Sequence, residues 1–127
     1  MAEASSPPPE DMPTAGERVF YIRDGKGQPV ACLAYRTEAT EAGSVGAYVS
    51  YAASFLHPND SFDRALARRI ALGRLRAGNR HIAWLVGEGR SLSVALADLA
   101  SRRDTPSRVR RVLADAIRRR AAQAVGS

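Results

Sequence analysis

The side chains of this sequence best equipped for chemistry are its arginines. Of 19 basic residues, all but Lys26 are arginine. Guanidinium grips phosphate through paired hydrogen bonds and lies flat on bases and aromatic rings, which an ammonium group does not do. The arginines cluster twice. One group lies in HPNDSFDRALARRIALGRLRAG, residues 57–78; the other is Arg102, Arg103, Arg108, Arg110, Arg111, Arg118, Arg119 and Arg120. Against Asp104 and Asp115 that second group leaves an excess of six positive charges, equal to the chain's formal net charge of +6. Such a balance favours anionic partners without choosing among them. Alanine is also abundant, so part of the arginine bias is compositional.

Catalytic and metal chemistry find little to work with. His57 and His81 are the only histidines, and neither has a cysteine, histidine or carboxylate at ligand spacing. Asp60 and Asp63 form a carboxylate pair, but helix capping accounts for both. The turn VGEGRSLS, residues 86–93, has the first two glycines of a dinucleotide fingerprint and Leu92 where the third belongs. Two readings of it stay open: an anion nest with Arg90 beside the free amides of a helix start, and a plain tight turn. No catalytic residue, metal site or cofactor is expected, and the chain reads as a binding protein. Cys32, the single cysteine, excludes an intrachain disulfide and reads as a buried, inert thiol in PVACLAY. No apolar run approaches the ~20 residues of a membrane span and no signal peptide opens the chain, so a cytoplasmic protein without a membrane partner is expected.

These residues must be positioned by about 110 residues of alternating pattern. Residues 1–16, MAEASSPPPEDMPTAG, read as a disordered acidic Pro/Ser-rich tail, and 17–127 as one domain. Strands are expected at 19–24 and 29–36 around the hairpin GKGQ, at 45–56 and at 81–86. In the third, Val49, Tyr51 and Phe55 fall on a buried face and Tyr48, Ser50 and Ser54 on a wet one. The first helix is expected from an Asp60 cap, with Phe62, Leu66, Ile70, Gly73 and Ala77 facing the core and Gly78 as its stop. Gly73 in that stripe implies close approach of helix to sheet. Leu72 and Leu75 are left as an exposed apolar patch suited to a subunit contact. A helix at 91–103 turns inward Leu92, Leu96 and Leu99. A last one at about 106–124, capped by Thr105 with Pro106 first, turns inward Val109, Leu113, Ile117 and Ala121. The order is β-β-β-α-β-α-α: an α+β fold, a small mainly antiparallel sheet of about four strands with helices on one side.

On this frame Arg69 and Arg76 lie within about 20° of each other, beside the expected core stripe, where they overhang the sheet or merely snorkel. The C-terminal arginines are either a solvated face or a surface for nucleic acid.

Residues 54–75, SFLHPNDSFDRALARRIALGRL, resemble a pattern of small bacteriophage and mobile-element proteins: a strand, a Pro-x-Asp-x-Phe turn and a helix ending Ala-x-Gly-Arg. Pro58, Asp60, Phe62, Arg69, Ala71, Gly73 and Arg74 carry it, with Ala67-Arg68 where Gly-Arg is expected. It extends over roughly half the chain, and the C-terminal half is unmatched. The group is similar to phage anti-defence sponges of the Thoeris anti-defence type. That resemblance implies a homo-oligomer in the host cytoplasm that captures a cyclic nucleotide.

Together these readings predict a non-enzymatic protein that holds a phosphate-containing ligand with Arg69, Arg74, Arg76 and Arg90 and with Tyr48, Tyr51 or Trp84. The alternatives are a nucleic-acid-binding module using Arg102, Arg103, Arg108, Arg111, Arg118 and Arg119, and an inhibitor that docks on a host defence protein.

Overall fold

The computed structural model describes residues 12–39, 47–56, 63–85 and 90–126. The elements follow the expected order: β1 (Glu17–Arg23), β2 (Pro29–Ala39), β3 (Ala47–Phe55), α1 (Arg64–Arg76), β4 (His81–Trp84), α2 (Ser91–Ser101) and α3 (Ser107–Gly126). The strands form one antiparallel sheet in the order β1-β2-β3-β4. In the β1–β2 hairpin Asp24 accepts bonds from the amides of Lys26 and Gln28, both at 2.9 Å, and Gly27 takes the left-handed φ of +83°. That conformation is strained for any residue with a Cβ. Among the described residues no helix is long and apolar enough to cross a membrane.

The helices lie on both faces of the sheet, not on one. Ile22, Ala31, Leu33, Val49, Tyr51, Ala53 and Ala83 face α2 and α3, meeting Ala95, Leu96, Leu99, Val109 and Leu113. The opposite face presents Cys32, Ala34 and Ala52 to Ala71, Leu72 and Leu75 of α1. That second face is the one the β3 alternation marks as wet. Ser50 and Ser54 are instead buried, and Ser54 donates to the Ala67 carbonyl at 2.9 Å. The reason is size. Alanine, serine and cysteine make this face shallow, so a helix can lie close to it, and each small polar group finds a partner there. Cys32 is fully enclosed, and burial pushes its thiol up to about 12.

The phase of α1 differs from the expected one. Its sequence carries two apolar stripes at helical spacing, and the sheet takes Ala71, Leu72 and Leu75 while Leu66 and Ile70 stand exposed. Leu72 and Leu75 are therefore core, not a subunit patch. The shallow face favours the stripe that has alanines at 67 and 71, since bulk at those positions would hold the helix off. Asp63, not Asp60, is the N-cap, accepting from the Leu66 amide at 3.1 Å; Asp60 and Phe62 lie outside the described residues. The helix stops where expected. Gly78 has φ +86°, its amide reaches the Leu75 carbonyl, and the Asn79 amide bonds the Arg74 carbonyl at 2.9 Å, a Schellman arrangement.

Two further expectations are corrected at the other termini. The Thr105 hydroxyl does not cap α3; it is buried and donates to the Leu99 carbonyl at 2.8 Å, closing the end of α2. Ala121 of α3 is exposed, while Val109, Leu113 and Ala116 are buried. Of the expected tail, residues 1–11 lie outside the described residues, but 12–16 are tied down: the Met12 carbonyl accepts from Arg76 at 2.7 Å and the Thr14 amide donates to Glu17 at 2.8 Å.

Gly73 is not a point of close approach. A Cβ built there meets nothing within 4 Å, and its φ is not in the left-handed region. Gly73→Ala should therefore raise stability by about 0.5–1 kcal/mol through helix propensity and reduced freedom of the unfolded chain. Urea denaturation measures it; a loss of stability would mean that the α1 surface at this position is covered after all.

Candidate functional site

α1 covers only part of its face of the sheet. Past its C-terminus two cross-strand rows continue, Glu17–Arg36–Ser50–Ile82 and Glu38–Tyr48–Trp84, as the strand registers set them, with Ser50 buried, Glu17, Arg36, Glu38 and Tyr48 half-buried and Ile82 and Trp84 exposed at the β4 end. Together they form a shelf. Trp84, the chain's one tryptophan, is 59% exposed and Ile82 46% exposed. The Tyr48 and Trp84 rings meet edge to face with centroids 5.4 Å apart, an arrangement that holds the indole in place and leaves surface free.

A polar network backs the aromatic pair. The buried Ser50 hydroxyl donates to Glu38 Oε2 at 2.5 Å and receives Arg80 Nε at 3.4 Å, while Arg36 Nε lies 3.6 Å from Glu38 Oε1. The Ser50 hydrogen bond, with Arg36 and Arg80 nearby, holds the Glu38 carboxyl below the usual carboxylate range, so it is ionised at neutral pH. Two guanidinium groups thus face one carboxylate. A phosphate or carboxylate arriving here meets a net positive charge beside an exposed aromatic ring.

The structure scatters the other expected ligand residues. Tyr51 lies on the opposite face, fully buried; its hydroxyl donates to Asp98 and receives Arg102 Nε at 2.9 Å. Arg74 and Arg76 leave opposite flanks of α1. Arg74 reaches the Ala53 carbonyl at 2.6 Å, where β3 runs on beyond the end of β4. Arg76 pairs with Glu17 at 2.8 Å across the helix from it. Arg69 is exposed on the Arg76 side. Arg90 is exposed at the start of α2, with no side-chain cap bond, and 86–89 of the glycine turn lie outside the described residues. Of the expected set, Tyr48 and Trp84 come together on the shelf, and Arg69 and Arg76 share a flank of α1 away from them.

The expected nucleic-acid arginines divide in the same way. Arg102 is held by Tyr51 and Asp98. Arg108 donates to the Leu56 carbonyl, Arg119 to the Arg23 carbonyl at 3.3 Å, and Arg118 pairs with Asp115. Arg103 and Arg111 are exposed, as is Arg110, which bonds Ser107 at 3.3 Å.

Two hollows lie elsewhere among the described residues. One, about 120 Å³, lies at the uncovered edge of β3, lined by Arg74, Asn79, His81, Asp104 and Thr105 among others. Burial and the Arg102 cation lower the basicity of His81, whose ring lies 5.3 Å from that of Tyr51. The other, about 450 Å³, lies between the hairpin and α3, beside Phe20, Arg23, Arg119 and Arg120.

Comparison of the chain with protein-family models, with curated proteins and with solved structures finds no match. What the site can do therefore rests on its own geometry. Sequence reasoning gave Arg36, Glu38, Ser50, Arg80 and Ile82 no place in the site. The signal was present, since strand alternation puts Arg36 and Glu38 on one face of β2 and Ser50 on the Tyr48 face of β3.

The Arg76–Glu17 pair borders the shelf and makes a pH prediction. Arg76, then the Thr14 amide and hydroxyl, hold the Glu17 carboxyl down at about 2 from an ordinary 4.5. A folded value below the unfolded one means stability present above about pH 4.5 and lost as pH falls toward 2, worth on the order of 1–3 kcal/mol. Arg76→Gln should lose about that much at pH 7 and little at pH 2, flattening the acid limb of the stability curve. An unchanged acid limb in urea titrations at both pH values would contradict the assignment.

Proposed function

We propose that the protein is a non-catalytic binding module whose shelf accepts a nucleotide, the base stacked on Trp84 and the phosphate met by Arg80 and Arg36. One observation carries this reading: a largely exposed indole, braced by Tyr48, stands beside two guanidinium groups and one carboxylate. An exposed indole face held in place by a neighbouring ring offers a stacking platform, and stacking with a base is a sequence-tolerant use of it. Capture of a cyclic nucleotide signal is the form of this function that the resemblance over residues 54–75 implies, with Arg80 and Arg36 in place of the α1 arginines.

Because Trp84 is the sole tryptophan, its fluorescence reports on the shelf directly. Titration with mononucleotides, cyclic dinucleotides and cyclic trinucleotides should quench it saturably and raise the melting temperature. Trp84→Ala should weaken binding about ten- to hundredfold, and Arg80→Gln by about tenfold, without unfolding the chain. No quenching and no thermal shift with any of these ligands would overturn the reading.

A second reading, nucleic-acid binding, is favoured by the exposed Arg103, Arg110 and Arg111. Neutralising all three should reduce the slope of log affinity against log salt by about two to three for single-stranded or duplex DNA. A slope that does not change would remove these residues from the interface.

A further inference from the structure

We propose that β4 is a dimerisation strand, pairing antiparallel with β4 of a second copy so that two four-stranded sheets join into one. The inference rests on the edge of the sheet and not on the ligand proposed for the shelf.

The two edges of the sheet differ. β1, ERVFYIR, carries Glu17, Arg18 and Arg23, charges of the kind that discourage strand addition. β4, HIAW, carries no acidic side chain, lysine, arginine, proline or bulge. The Leu85 amide bonds the Ala47 carbonyl at 3.0 Å, so the odd-numbered residues of β4 direct their backbone groups at β3. By alternation, the N–H and C=O of Ile82 and Trp84 point away from the sheet. Among the described residues neither has a backbone partner on that side.

Antiparallel pairing is self-complementary, so a two-fold axis can satisfy both copies with one contact. With the axis at Ala83, Ile82 of one copy faces Trp84 of its partner, and Trp84 faces the partner's Ile82. All four outward N–H groups then find carbonyls. On the shelf side, one row becomes Glu38–Tyr48–Trp84, continued by the partner's Ile82, Ser50 and Arg36. Its apolar middle, at Tyr48, Trp84 and Ile82, is flanked by paired Glu38 and Arg36, the ordering of an apolar centre and a polar rim. Arg119 and Arg120 lie over Arg23 and Phe20 of β1, at the far edge of the sheet, so the positive end of α3 stays remote from the contact. The joined sheet would set two shelves side by side, each with its indole face open.

Light scattering and sedimentation should give a mass that doubles with concentration. Ile82→Pro removes one outward N–H and its side chain without touching the bonds to β3, so it should yield a folded monomer by circular dichroism. Ile82→Lys, which places two charges at the contact, should do the same. In the dimer the two Ala83 residues form a narrow pair with Cα atoms about 4.5 Å apart, within disulfide reach. Ala83→Cys should therefore cross-link on mild oxidation, against a silent background from buried Cys32. A chain that stays monomeric at high concentration overturns the proposal, as does a dimer that survives both Ile82 variants or fails to cross-link. An unaltered chain that stays monomeric yet is quenched by nucleotide overturns this proposal alone, and an unaltered dimer that no nucleotide quenches overturns the ligand reading alone.

Discussion

Two-sided burial of β2 and β3 is the constraint on which the rest of the molecule depends. One face of these strands carries leucine, valine and tyrosine and is filled by α2 and α3; the other carries alanine, serine and cysteine and takes α1. A bulky face needs a second layer with matching bulk, whereas a shallow face lets one helix sit close. The phase of α1 follows from that difference. So does the shelf, because a thirteen-residue helix that ends at Arg76 leaves the β4 end of its face, at Ile82 and Trp84, exposed.

The arginines that dominate the composition are largely structural cations. Arg23, Arg74, Arg76, Arg108 and Arg119 each donate to a backbone carbonyl, four of them at residues in or near the strands and turns of the sheet. The bonds to Ala53 and Leu56 are part-buried, where an acceptor left unpaired costs on the order of 1–3 kcal/mol, and the other three lie at the surface. A long side chain with five donors is well suited to reach them. That role explains why a strongly basic sequence need not present all of its guanidinium groups to a ligand: several are engaged by the chain's own carbonyls and carboxylates.

Much of the fold was legible in the sequence. Short apolar runs between turn residues marked all four strands, alternation set the faces of the third, the Gly27 hairpin and the Gly78 stop were visible as turn chemistry, and the order of elements followed. The site was legible only in part. Tyr48 and Trp84 stood out as aromatics, but their company depends on register: Glu38 opposite Tyr48, and Tyr48 opposite Trp84. Helix geometry alone put Arg69 and Arg76 in a row. It did not reveal that Glu17, fifty-nine positions away in sequence, would engage one of them.

What the sequence by itself determined was local: the kind and order of strands and helices, the stop of α1 at Gly78, which residues share a strand face, and that Cys32 would be enclosed. Those outcomes depend on propensity, periodicity and turn stereochemistry, which act between neighbours in the chain. Only the tertiary structure decided which of two apolar stripes α1 would bury, that the helices would divide between both faces, and which arginines would be engaged. The physical reason is that α1 had two nearly equivalent stripes, and the choice belonged to the depth of the surface it met.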